Sequence, residues 1–95
     1  MPDAMMSTSE IIGYIAATLT TASFVPQAIL TIKTRDTESL SLGMYGSFTL
    51  GVLCWLIYGI RLGDKAIIFA NAITLLLASL ILSFKIYNLI VKKKA

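Results

Sequence analysis

The sequence has no histidine and a single cysteine, Cys54. Without histidine, neither the usual zinc sites nor a Ser-His-Asp triad is available, and no other nucleophile–base pair offers enzymatic chemistry. One cysteine excludes an intrachain disulfide. Cys54 lies inside a long apolar run, where a small packing role is expected. Charge is scarce too: it makes up 14% of the chain, against about 25% in soluble domains. It is absent altogether from residues 11–32, 39–60 and 66–84, which are 22, 22 and 19 residues long. No metal or organic cofactor is implied by any of this.

What remains is apolar, 57% of the chain by residue. A bilayer's hydrocarbon core is about 30 Å thick and a helix rises about 1.5 Å per residue, so roughly 20 residues cross it. The three uncharged runs predict three spans in one domain covering residues 1–95, an all-α membrane protein. A soluble three-helix bundle would show a polar face on each helix, and these runs show none. A signal peptide is not expected, because the first ten residues hold Asp3 and Glu10 and no Lys or Arg. Met5 and Met6 are alternative starts.

Lys and Arg placement sets the expected orientation. Three spans put the N-terminus and the 61–65 loop on one side, with Arg61 and Lys65. The 33–38 loop and the C-terminus lie on the other, with Lys33, Arg35, Lys85, Lys92, Lys93 and Lys94. Six cations against two predict the N-terminus outside and the C-terminus in the cytoplasm. The net charge of +3 is then a topology signal, and no nucleic-acid partner is implied.

The loop KTRDTES is short and polar, and Thr37 and Ser39 are both competent to cap the next helix. RLGDK is shorter still, with Gly63 for the turn. Such loops make successive spans antiparallel but leave the packing order open. In the second span Gly43, Ser47, Gly51 and Gly59 recur at multiples of four, the small-xxx-small spacing of a packing face.

Polarity inside the spans is concentrated in a few residues. Pro26 lacks an N–H, so the Ala22 carbonyl loses its helix partner; Thr21, Ser23 and Gln27 lie within a turn and are able to replace it. The bend is either a static kink or a hinge. Trp55 lies five residues inside the outer end of span two and Asn71 five inside the outer end of span three. Both therefore lie roughly 7–8 Å deep. That is deeper than an interfacial aromatic belt. An amide at this depth needs a partner or a cavity. An indole plate beside a carboxamide suits a sugar: the ring covers a C–H face and the amide serves hydroxyls. Other neutral polar solutes fit the same pair.

Phe48, Gly51, Trp55, Tyr58 and Leu62 share one helix face, so Phe48 and Tyr58 stand below and above Trp55. At the outer end Arg61 and Asp64 are placed to pair, within a chain or between chains, as a weak latch. No carboxylate lies well inside a span, which favours passive movement over ion coupling. Three helices leave an open groove around a sugar-sized path. Two copies are needed, and because both obey the same insertion rule the homodimer is parallel.

FVPQ in span one, GVLCWLIYG in span two and FANAITLLLA in span three, set in three helices, resemble the bacterial SemiSWEET sugar transporters. These are half-size relatives of the SWEETs within the PQ-loop group. The resemblance runs from about Ile11 to Lys85. It implies a parallel homodimer in the bacterial inner membrane that exposes a central sugar site to each side in turn. It implies that Trp55 and Asn71 bind the sugar, that Pro26 is a hinge with Gln27 beside it, and that Phe48 lies on the cytoplasmic side of the pocket. Tyr58 and Asp64 match outer-gate positions. Arg61 departs by one residue, since the family's gate arginine aligns with Leu62.

Three readings follow. The first is a uniporter for a mono- or disaccharide of the glucose or sucrose class, embedded in the lipid bilayer. The second is a PQ-loop carrier of amino acids or another neutral solute; amino-acid carriers usually have more spans and a membrane carboxylate. The third is a structural or regulatory membrane subunit, whose activity would survive Trp55→Ala and Asn71→Ala.

Overall fold

The computed structural model describes residues 7–94, with side chains as far as Lys92. Asp3, Met5 and Met6, and the side chains of Lys93 and Lys94, lie outside the described residues. Three helices follow: α1 (Thr8–Thr34), α2 (Leu42–Leu62) and α3 (Lys65–Lys94). All three are long and apolar enough to cross a membrane. The protein is a multi-pass membrane protein of the all-α class.

The helix ends have local causes. Ser7 and Glu10 form a reciprocal capping box at the start of α1. Ser41, not Thr37 or Ser39, caps α2: its side chain accepts from the Met44 N–H. Helix α2 therefore begins three residues later than the uncharged run does. At its end Gly63 adopts a left-handed conformation (φ 73°), and its N–H and that of Asp64 close onto Gly59 and Ile60 carbonyls. Asp64 then caps α3, its Oδ1 accepting from the Ile67 N–H at 3.1 Å. The linker between α2 and α3 is these two residues alone. The two helices are thereby forced to be antiparallel neighbours.

Helix α3 packs against both of the others, while the backbones of α1 and α2 do not approach one another. The spatial order is α1–α3–α2. The α1–α2 loop is long enough to pass over the C-terminal end of α3, and it is fastened there. Lys85 Nζ donates to the Thr37 carbonyl, and Asn88 Nδ2 donates to both the Arg35 carbonyl and Thr37 Oγ1, each at 2.9 Å. Thr37 is buried as a result. Arg35 ends α1 in the left-handed region (φ 57°), and its guanidinium lies 5.0 Å from the centre of the Phe84 ring.

The buried core is small: Ala28, Val52, Ala66, Ala78 and Ile81. Lipid tails are as apolar as these side chains, so close packing holds membrane helices together more than hydrophobic burial does. The tightest approach is at Gly59, where a Cβ would meet Ile67 Cγ2 at 2.6 Å and the Ile68 backbone N at 3.3 Å. Gly51 would meet nothing within 4 Å, and Gly43 only the Ser41 hydroxyl at 3.9 Å. Within the chain the small-residue stripe of α2 thus packs at its C-terminal end alone.

Candidate functional site

The contact of Gly59 with Ile67 sets the register of the α2–α3 pair. One turn inward from Gly59 is Trp55, and one turn inward from Ile67 is Asn71. Because the helices run antiparallel, indole and carboxamide stand at one level. Asn71 is half-buried, and its Nδ2 donates to the Ile67 carbonyl at 2.9 Å. That bond orients the amide and leaves one N–H and Oδ1 for a ligand. Trp55 is 56% exposed, with its ring set edge-on to Tyr58 (86°, centroids 5.6 Å apart).

Two turns inward on the same face, Phe48 meets Phe24 of α1 at 6.1 Å and Tyr45 at 5.5 Å between centroids. Phe48 therefore does not stand alone: three rings from two helices form an aromatic floor roughly 10 Å below Trp55. Phe24 and Tyr45 carried no sequence signal beyond their places two residues before Pro26 and three before Phe48.

The α1–α3 pair keeps one register along its length. Gly13 lies against Ala66 at the N-terminal ends and Arg35 against Asn88 at the C-terminal ends, both 53 positions apart. Pro26 sits within an unbroken α1. Among the described residues no side chain donates to the Ala22 carbonyl. Ser23 Oγ turns to the Leu19 carbonyl (2.8 Å) and Thr20 Oγ1 to that of Ala16 (3.0 Å). Gln27 is exposed, and its amide has no partner within the described residues. In a span such an amide requires a polar neighbour.

The outer residues are differently employed. Tyr58 packs on Trp55. Asp64 is committed to its helix cap. Arg61 is exposed in the last turn of α2, and among the described residues it makes no ion pair with Asp64 inside the chain.

An open cavity of about 580 Å³ does not include Trp55 or Asn71. It is a groove between α1 and α3, lined by Tyr14, Thr18, Ala22 and Pro26 on one side and by Ala66 and Phe69 on the other. The face carrying Trp55 and Asn71 stays open, as expected of a chain only 15 Å thick in its least dimension.

A family model described as the PQ loop repeat matches residues 8–67. The sugar transporter SemiSWEET of Leptospira biflexa serovar Patoc is 46% identical over 77 residues, covering 81% of this chain and 91% of that protein. The sugar transporter SemiSWEET of Bradyrhizobium diazoefficiens is 47% identical over 77 residues, covering 81% and 90%. A crystal structure of SemiSWEET in the inward-open conformation superposes with a TM-score of 0.82 at 42% identity, covering 94% of this chain and all of that one.

Proposed function

The chain belongs to the PQ-loop family, among the SemiSWEET sugar transporters, and from that premise we propose that it moves a mono- or disaccharide across the membrane by alternating access, as a parallel homodimer. The observation that carries the reading is the common level of Trp55 and Asn71 on an open face. A second copy, related by a two-fold axis along the membrane normal, closes that face and doubles the pair. It also gives the unpartnered Gln27 amide a polar cavity.

The steps follow from the side chains. The indole covers the apolar face of the sugar ring, and the free Asn71 positions bond its hydroxyls. The Phe24–Tyr45–Phe48 floor closes the cavity toward the cytoplasm when the halves approach. Tyr58 closes it outward, with Arg61 and Asp64 at the rim between copies. Pro26 lets α1 change its bend between the two states, since the missing N–H removes the bond that would resist it. No carboxylate lies at the site to couple an ion. Transport is therefore down the sugar gradient, and no covalent bond is made or broken. The cation distribution orients the chain with its N-terminus outside and its C-terminus in the cytoplasm of a bacterial cell, in the inner membrane.

The test is labelled sugar in proteoliposomes. Glucose or sucrose is expected to equilibrate with no ion gradient applied. Dependence on a proton gradient refutes the passive mechanism, and no sugar movement under any condition refutes the transport reading.

A further inference from the structure

Helix α1 is held very differently at its two ends. Among the described residues, every hydrogen bond joining α1 or its loop to α3 lies at the inner end. There the Asn88 amide spends both N–H donors on the loop, and the Lys85 ammonium closes on the Thr37 carbonyl, which also accepts from the Leu40 N–H. Thr37 is 2% exposed, so opening this clamp would strip a buried hydroxyl of its donor and leave part-buried donors without acceptors. Helix α3 offers no compliance, for it contains neither proline nor glycine over its 30 residues.

Outward of Pro26 the arrangement reverses. Gly13 there lies in ordinary contact with Ala66, and the groove of about 580 Å³ runs beside this half of α1 from Tyr14 to Pro26. Among the described residues no hydrogen bond ties the two helices there, and the groove leaves space to move into.

We propose that Lys85 and Asn88 are positioning residues that clamp the inner end of α1 to α3 throughout the cycle, so that bending at Pro26 is carried by the outer half of α1 moving over the groove. The proposal rests on the alternating-access reading given above. It adds which half of the helix moves and which residues hold the other half. Lys85 and Asn88 act through the loop and do not touch the sugar.

Two staples test it, in full-length protein carrying Cys54→Ser to remove the native exposed thiol. Gly13→Cys with Ala66→Cys forms the outer staple. A Cβ at Gly13 lies 3.8 Å from that of Ala66, the separation a disulfide requires. Thr37→Cys with Asn88→Cys, bridged by a short bifunctional thiol reagent, forms the inner staple. The outer disulfide is expected to cut sugar flux by about tenfold or more and reduction to restore it, while the inner bridge leaves flux within about twofold, since only a step that moves can be blocked. Flux lost on bridging the inner pair, or kept on oxidising the outer pair, overturns the proposal.

Hydrogen exchange in the 35–40 loop provides a readout independent of sugar. Protection is expected in the wild type and in Thr37→Ser, which keeps the hydroxyl, and its loss in Thr37→Val and Asn88→Ala. A wild-type loop exchanging at the rate of a free peptide overturns the clamp. If the reduced protein carries no sugar at all, the transport reading fails, and the exchange result still decides the clamp.

Discussion

The two helix pairs of the chain are packed very differently. In the α2–α3 pair a two-residue linker leaves no slack, and Gly59 is pressed against Ile67 so closely that a single added carbon finds no room. In the α1–α3 pair a seven-residue loop spans the inner end, and a large groove opens along the outer half. The first pair is a platform that holds Trp55 and Asn71 at one level. The second is an arm with a proline in it. A binding site needs fixed geometry and alternating access needs a part that moves; on the proposed function, the close α2–α3 pair serves the first and the looser α1–α3 pair the second.

The comparison is broken most severely at the platform's functional face. Asn71→Ala is expected to reduce sugar flux to the vesicle background. Near-normal flux in that variant removes Asn71 from the site. Pro26→Ala addresses the arm: flux should fall by about tenfold while sugar affinity changes little, because the added N–H restores a helix bond that resists bending. Equal losses in flux and affinity would mean that Pro26 shapes the pocket.

Gly59→Ala tests the platform's packing. It should destabilise the protomer by about 1–3 kcal/mol through overpacking, read as a lower midpoint in denaturant titration in detergent. Gly51→Ala, with open space around it, should leave that midpoint unchanged. Equal effects at both positions would erase the distinction between packed and open ends of the stripe. The smallest effect concerns Asp64. Replacing it with Ala should cost about 1 kcal/mol of stability, whereas Asn, itself a good cap, should cost almost nothing. Any flux defect in Asp64→Asn then belongs to the lost charge at the outer rim. Unchanged flux there confines Asp64 to its capping role.

The spans were readable because uncharged runs of membrane length leave few alternatives. The common depth of Trp55 and Asn71 was readable because helix rise and a short loop suffice to compute it. The packing order was not, since three helices of alternating direction permit several. What settles it here is a set of contacts between residues 48 to 53 positions apart, Lys85 and Asn88 with Thr37 and Arg35, which no local periodicity reveals. Ser41 displaced Thr37 and Ser39 as the cap because Thr37 is drawn beneath the loop to meet Asn88. The carboxylate of Asp64, placed by sequence beside Arg61, turns instead to accept from the Ile67 N–H in the first turn of α3. Phe24 and Tyr45 joined Phe48 for a similar reason: ring contacts across helices depend on rotation about the helix axis, which spacing in a single span does not determine.

Trp55 is the only tryptophan in the chain, so its fluorescence reports on one place. The most direct measurement is quenching of that fluorescence in bilayers made with brominated acyl chains, with and without sugar. An indole walled into a cavity between two copies should be quenched little by the bromolipid, and its emission should change saturably as sugar is added. Strong bromolipid quenching that sugar leaves unaltered would place the indole against the lipid tails and contradict the account.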